Sequence, residues 1–417
     1  MEIRRRIDAT LALQSEQRYL RIPFELPPGT NSFEITLGVP EVDGAVIDLG
    51  CEGPDDWRGW SGGARRSFVI EEDDATPGYL PGLRPGLWHV ILGLHALPMH
   101  GVELSITVSV PATHRPDHGP HEDPCARHAR GSERDLPAPP GMRWYAGDTH
   151  AHSLHSDGAL SLWELANEGV RSGLDFLCVT DHNTTSHHAH LAGVGDRHGI
   201  TLVPGQEVTT HLGHANAYGD IGFVDFRTPG QGWVETVTER GGFLSVNHPV
   251  SEDCSWLHEL DHEPEGVELY HGSWYQQPMS TSALAWFQRW RRDVVLVGGG
   301  DFHHRETLLR PGMPTTWVAA EVGTADAILE GLRAGRTTIT GSVRLDDGVG
   351  RPVLDECPIL IREVGRLRVI RGAGLVLVSG TGRRLFIAEQ DMVVEAPLSE
   401  GPHRLEDTHR MTLALCR

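Results

Sequence analysis

Trp144-Tyr145-Ala146-Gly147-Asp148-Thr149-His150-Ala151-His152, followed by Ser156-Asp157-Gly158, is the stretch that decides the fold. An apolar run leads into a short polar segment with two histidines one residue apart, and Ser156-Asp157-Gly158 then reads as a turn. In extended backbone, residues i and i+2 project to the same side, so His150 and His152 can reach one ion. A chain with 25 His produces His-x-His pairs by accident, and His188-Ala189-His190 reads as one of them. The first pair differs by its place at the end of a strand-like run.

Working outward, apolar strands alternate with helices after Arg143, the pattern of an α/β unit with parallel pairing. Strands are expected at Phe176–Thr180, Thr201–Val203, Phe243–Val246, Val267–Tyr270, Val294–Val297 and Thr316–Ala319. Ser161-Leu162-Trp163-Glu164 reads as a capping box, and Leu162, Leu165, Ala166 and Val170 then share a helical face. Further helices are expected near Trp233–Arg240, Ser282–Arg291 and Ala325–Ala334, where Leu284, Trp286, Phe287 and Trp290 are spaced as packing residues. Metal-ligand residue types recur at the strand ends: Thr180-Asp181-His182-Asn183, Gly205-Gln206-Glu207, Asn247-His248-Pro249 and Gly300-Asp301-Phe302-His303. The full candidate set is His150, His152, Asp157, His182, Glu207, His214, His248, Asp301 and His303. Imidazole and carboxylate suit zinc, manganese or iron, and the lack of cysteine ligands argues against a purely structural zinc. His214 lies in Gly213-His214-Ala215 with no clear strand before it, so His211 competes for its place.

The flanks read differently. Residues 1–112 show short strands at Leu20–Phe24, Ser32–Leu37, Ala45–Leu49, Trp88–Leu92 and Glu103–Val108, broken by Pro27-Pro28-Gly29 and Pro81-Gly82, which predicts an N-terminal β-sandwich. Residues 113–142 are rich in Pro, His, Asp, Arg and Gly and read as a linker whose His114, His118, His121 and His128 are solvated. Residues 143–341 form the α/β unit. Residues 342–417 return to β-like patterning at Ile359–Arg362, Leu367–Ile370, Gly374–Val378 and Leu385–Ala388, a small C-terminal β module.

A net charge of −21 opposes binding of a nucleic acid polymer, while metal ions can still reverse the field locally for a small phosphate ester. The six Cys are scattered without a Cys-x-x-Cys pair, which suits free thiols in a reducing cytoplasm. The basic start Met1–Arg6 has no apolar run behind it, and no segment approaches membrane-spanning length, so secretion and membrane insertion are disfavoured. Oligomeric state stays open.

The ordered motifs from His150 to His303 resemble the polymerase and histidinol phosphatase (PHP) family over residues 143 to about 341. That resemblance implies a distorted (β/α)7 barrel with two or three divalent metal ions. His150, His152, Glu207 and Asp301 would hold one ion, Glu207, His214 and His248 its neighbour, and Asp157, His182 and His303 a third. Trp60-Ser61-Gly62-Gly63, Ala75-Thr76-Pro77-Gly78-Tyr79 and Pro85-Gly86-Leu87-Trp88 look like the N-terminal region of the carbaryl-hydrolase-like (CehA/McbA-type) branch.

The chemistry so implied is hydrolysis. Two ions bridged by Glu207 would lower the pKa of a shared water and polarise a substrate oxygen, with Glu207 and Asp301 positioning the bridging hydroxide. A phosphoesterase acting on a small, anionic phosphate ester or nucleotide is the first expectation. Hydrolysis of a carbamate, carboxylic ester or amide is the alternative, and a non-catalytic metal-binding domain the third. Arg305 and Arg310 could clamp an anionic oxygen or be solvated loop residues. His211, His271 and His304 could protonate a leaving group, and none is assigned. Asp181 and Asn247 flank ligands and could orient them.

Overall fold

In a computed structural model of the chain, residues 1–7, 18–39, 44–251, 254–277, 282–291, 293–346 and 348–417 are described. They divide into two compact units. One holds Met1–Pro120, His152–Ser161 and Asp181–Ala189, the other His121–Ala151, Leu162–Thr180 and His190–Arg417.

The first unit carries β1 (Glu2–Ile7), β2 (Tyr19–Leu26), β3 (Ser32–Gly38), β4 (Val46–Glu52), β5 (Trp57–Gly62), β6 (Ser67–Glu71), β7 (Gly86–Ala96) and β8 (Val102–Ser109). They pair antiparallel in two sheets, ordered β1-β8-β3-β6 and β2-β7-β4-β5. Period-two patterning sets the inner faces: Val102, Leu104, Ile106 and Val108 of β8 are buried while the residues between them are not. The sheets share one core in which Trp88 meets Phe33 edge-on at 5.0 Å and Phe68 stacks on Tyr79 at 3.9 Å. Each such aromatic contributes roughly 2–3 kcal/mol by burial. β5 escapes the pattern reading because Gly59 and Gly62 interrupt the alternation of apolar side chains.

The Ala75–Tyr79 turn anchors the two later segments of this unit. Gly78 N–H donates to Ser186 Oγ (3.0 Å), and Gly78 O accepts from Thr184 Oγ1 (2.8 Å). Gly78 has φ +102°, and a Cβ there would stand 2.9 Å from the carbonyl oxygens of His155 and Trp60. Only glycine fits.

The second unit runs β9 (Arg143–Ala151), α1 (Leu162–Arg171), β10 (Phe176–Val179), α2 (His188–His198, whose first two residues belong to the first unit), β11 (Thr201–Thr210), β12 (Gly213–Tyr218), α3 (Gly230–Glu239), β13 (Phe243–Val246), β14 (Gly266–His271), α4 (Ser282–Phe287), β15 (Val295–Gly299), β16 (Thr315–Ala320), α5 (Ala325–Arg333) and β17 (Thr337–Thr340). It continues through β18 (Val343–Asp346), β19 (Val349–Pro352), β20 (Ile359–Glu363), β21 (Arg366–Ile370), β22 (Val376–Val378), β23 (Arg384–Phe386), β24 (Met392–Glu395), β25 (His403–Glu406) and β26 (Thr412–Cys416). One 13-stranded mixed sheet has the order β15-β14-β13-β12-β11-β10-β9-β16-β17-β26-β25-β22-β23.

The large sheet and mixed α/β character match the sequence reading, but strict strand–helix alternation does not hold throughout. β9, β10 and β11 are mutually parallel, as are β13, β14 and β15. Between them β12 is antiparallel to both neighbours, because β11 runs on to Thr210 and turns back as a hairpin. β16 and β17 are also antiparallel. A parallel bridge between Ala151 and Phe302 brings the exits of β9 and β15 together. The C-terminal strands extend the same sheet through Ile339–Leu415 and Thr340–Ala414 pairing.

The core of this sheet sets Phe176, Val203, Phe243, Val297 and Val318 against Ile328, Leu329 and Leu332 of α5. Gly147 in β9 leaves room for the Phe176 ring, which a Cβ would approach to 2.4 Å. The expected helix over Ser282–Arg291 is shorter, ending at Phe287. No helix among the described residues is long and apolar enough to cross a membrane.

Candidate metal centre

At the ends of the parallel strands, the second unit gathers six of the nine expected ligands. His150 lies near the end of β9, Glu207 on β11, His214 on β12, and His248, Asp301 and His303 in the segments that follow β13 and β15. Glu207 is buried, and its Oε1 stands 3.3 Å from His150 Nε2, 3.2 Å from His214 Nδ1 and 3.3 Å from His248 Nε2. Asn247 Nδ2 donates to the same oxygen at 2.8 Å. Asp301 Oδ1 lies 3.3 Å from His150 Nε2 and 3.6 Å from His303 Nδ1. Ligand atoms of His150, Glu207 and Asp301 all fall within 4.8 Å of one another.

Backbone geometry aims these groups. His248 and Asp301 have φ of 26° and 53°, left-handed values that non-glycine residues rarely adopt. Such residues cost on the order of 1–3 kcal/mol each and persist where the surroundings over-determine them. Buried Asp148 supplies part of that constraint by accepting from the N–H groups of His150 (3.0 Å), Gly300 (2.9 Å) and Gly312 (2.7 Å). Burial pushes its carboxyl up to about 7 against those three bonds.

Hydrogen bonds select which imidazole nitrogens are basic. His150 Nδ1 lies 3.0 Å from Glu268 Oε1, an acceptor, so in the neutral ring Nδ1 carries the proton and Nε2, which faces Glu207 and Asp301, is the nitrogen left to bind a cation. His303 Nδ1 likewise donates to Asp301 O at 2.9 Å. Burial disfavours a charged His150, yet the carboxylates of Glu207, Asp301 and Glu268 hold its pKa well above the ordinary value. His248 is raised too: burial opposes its charge, and Glu207 outweighs it. Two buried carboxylates, Glu207 and Glu268, and the partly exposed Asp301 face imidazoles and form an environment that favours positive charge. Divalent cations fit this donor set of basic nitrogens and carboxylate oxygens.

The other three expected ligands, His152, Asp157 and His182, lie in the first unit, with ligand atoms within 4.8 Å of one another. His182 Nε2 is 3.5 Å from Asp157 Oδ1, and the His152 and His182 rings stack at 4.4 Å. Asp181 holds this loop, accepting from Ser153 N (2.8 Å), Ser153 Oγ (2.7 Å) and Ser156 Oγ (2.6 Å). Burial would raise its pKa, but His187, His155, His152 and the Ser156 bond bring it down to about 2.

Arg305 and Arg310 are placed differently from the anion-clamp expectation. Arg305 Nε donates to Glu168 Oε1 (2.8 Å) and Nη1 to Glu164 Oε1 (3.2 Å), while Nη2 reaches Glu122 at 3.4 Å. Arg310 donates to the carbonyls of Thr307, Leu309 and Arg305. Internal acceptors use these guanidinium donors, so both arginines act as braces. Of the competing histidines, His211 is exposed, and His304 is 43% exposed beside Glu306 at 3.1 Å. His271, by contrast, is buried among the ligands.

One member of the site, Glu268, was missed from sequence, and His271 was named there without an assigned role. Glu268 interrupts the apolar strand Val267–Tyr270, and a carboxylate at a fully buried position is itself a signal of a partner. His271 ends the same strand. Beside the ligands opens a cavity of about 700 Å³ whose walls include His248, Asp301, His303, His271, Trp274 and Leu309. Among the described residues, no Lys or Arg lines it.

No family model matches the chain, and no curated protein matches it. Among solved structures, a two-domain protein containing a predicted PHP-like metal-dependent phosphoesterase from Bacteroides vulgatus is 17% identical with a TM-score of 0.40, over 70% of this chain and 91% of that one. A protein described as a metal-dependent phosphoesterase, from Bifidobacterium adolescentis, is 15% identical with a TM-score of 0.30, over 38% and 88%. An amidohydrolase from Chromobacterium violaceum, with bound sulfate and no metal, is 18% identical with a TM-score of 0.28, over 37% and 87%. At such TM-scores the likeness bears no functional inference, and the site must speak through its own geometry.

Proposed function

We propose that this chain is a metal-dependent hydrolase of small substrates, using the nine ligands read from its sequence. The carrying observation is a single buried carboxylate oxygen, Glu207 Oε1, with three imidazole nitrogens 3.2 to 3.3 Å away. Divalent zinc, manganese or iron held by these residues would supply a water of lowered pKa and would polarise the oxygen of the scissile group. The chain's own residues orient that chemistry. Glu268 fixes the His150 ring, Asn247 holds Glu207, and Asp148 ties the His150 strand to the loop that presents Asp301.

A small phosphate ester or nucleotide is the first substrate class, since several divalent ions provide the positive charge that phosphate oxygens need. A second reading, hydrolysis of a carbamate, carboxylic ester or amide, is favoured by the cavity wall. With no Lys or Arg among the described residues of that lining, a neutral acyl group would be accommodated without cationic help. Chain reconstituted separately with zinc, manganese or iron should be offered both classes. Phosphate release without ester or carbamate turnover supports the first, and the reverse supports the second. A metal-loaded chain that hydrolyses neither refutes the proposal.

A further inference from the structure

We infer that His271 is a fixed hydrogen-bond donor to the substrate oxygen, phosphoryl or carbonyl, on which negative charge develops during hydrolysis. This inference rests on the hydrolase reading above. His271 ends β14 and leads into a short 3-10 turn, Gly272–Tyr275. Its Nδ1 accepts from the backbone N–H of Ser273 at 3.3 Å and lies 3.0 Å from Ser273 Oγ. A backbone N–H can only donate, so Nδ1 must present its lone pair. The proton of the neutral ring then belongs to Nε2.

That is the reverse of His150 and His303, whose Nδ1 atoms face carboxylate and carbonyl acceptors and whose Nε2 atoms are basic. The difference separates a donor from two ligands with the same kind of side chain. His271 is 9% exposed, it lines the cavity, and its Nε2 is buried with no hydrogen bond. Asp301 Oδ2 stands 3.5 Å from that nitrogen, and the His248 ring centroid lies 5.0 Å from that of His271. A buried donor without an acceptor is costly to keep, and its position beside the proposed ligands and in the cavity wall supplies a use for it. A substrate oxygen drawn to ions held by Asp301 and His248 would come within reach of Nε2–H. A donor held in place before the reaction strengthens as charge builds on that oxygen, so its contribution falls on kcat.

The test compares the wild-type chain with His271→Ala and His271→Gln, each loaded with zinc or manganese. Three readouts are needed: metal content by mass spectrometry, steady-state kinetics on p-nitrophenyl phosphate and p-nitrophenyl acetate, and calorimetric affinity for inorganic phosphate. Metal content should be the same in all three proteins. On whichever ester is turned over, His271→Ala should lower kcat by about 10²- to 10³-fold, and the amide N–H of His271→Gln should restore roughly tenfold of that. Unchanged kcat in the alanine variant overturns the inference, and so does loss of a metal equivalent, which would make His271 a ligand. A wild type that holds metal but turns over neither ester removes the hydrolase reading. In that case phosphate bound about tenfold more weakly by the alanine variant sustains the donor, and equal affinity overturns it.

Discussion

Replacing Glu207 with alanine is the most searching perturbation of the proposed centre. The substitution removes an oxygen that lies within 3.3 Å of His150, His214 and His248 alike and is the acceptor of Asn247 Nδ2. In metal-free protein, stranding buried polar groups costs about 1–3 kcal/mol apiece, and breaking a buried charged pair about 3–5 kcal/mol in all, since such losses do not add. Relief of repulsion among Glu207, Asp301 and Glu268 offsets part of this. We therefore expect a net loss of roughly 2–4 kcal/mol.

In metal-loaded protein the effect should be larger, because the carboxylate is assigned to two ions. Losing a residue that merely hydrogen-bonds a ligand costs about 10- to 100-fold in metal affinity, and losing a shared ligand should exceed that at both positions. After desalting, Glu207→Ala should lack two metal equivalents relative to wild type, and turnover should fall by more than about 10³-fold. A free ion at 100 times its Kd adds about 2.7 kcal/mol of stability, so zinc should raise the wild-type melting temperature and leave that of the variant nearly unmoved. Metal content by mass spectrometry, melts with and without zinc, and steady-state kinetics read these effects. Wild-type metal content together with wild-type turnover would refute the assignment of Glu207 as the shared carboxylate.

Arg305→Ala should leave KM within about threefold and cost roughly 1 kcal/mol, because Arg305 is about a third exposed and its buried partner Glu168 keeps Arg171 at 2.7 Å. A tenfold or greater rise in KM for an anionic substrate would return it to the role of anion clamp. His403, 2% exposed, accepts from Arg362 Nη2 at 3.0 Å, and burial, with help from Arg362 and Arg383, pushes its pKa down from 6.5 to about 4. The unfolded chain binds this proton first as pH falls, so the contribution is complete above pH 6.5 and is lost as pH falls from there through about 4. It is worth on the order of 3 kcal/mol. Melts of His403→Gln should be less steeply acid-sensitive in that window, and an identical slope would contradict the buried neutral ring. Gly78→Ala should destabilise the first unit by about 1–3 kcal/mol, through its positive φ and the two carbonyl oxygens its Cβ would crowd. An unchanged melting temperature would argue against that close approach.

Local pattern by itself determined the β-rich N-terminal region, the mixed α/β character after Arg143 and the ligand residue types at strand ends. Period-two burial and the i, i+2 geometry of His150 and His152 are properties of a few consecutive residues, legible before any folding. Tertiary structure alone decided what depends on distant partners. The Thr201–Val203 strand was visible, but its extension to Thr210 and the hairpin that carries His214 are made by pairing with Gly213–Tyr218, which no local period announces. Arg305 became a brace because Glu122, Glu164 and Glu168, up to 183 positions away, converge on it. His150, His303 and His271 are chemically identical in sequence. A carboxylate 118 positions along the chain, a carbonyl two positions back and a backbone N–H two positions on give them opposite lone pairs. Composition can nominate a ligand, but the proton on an imidazole is placed by its hydrogen-bonding partner, and that partner is chosen only when the chain has folded.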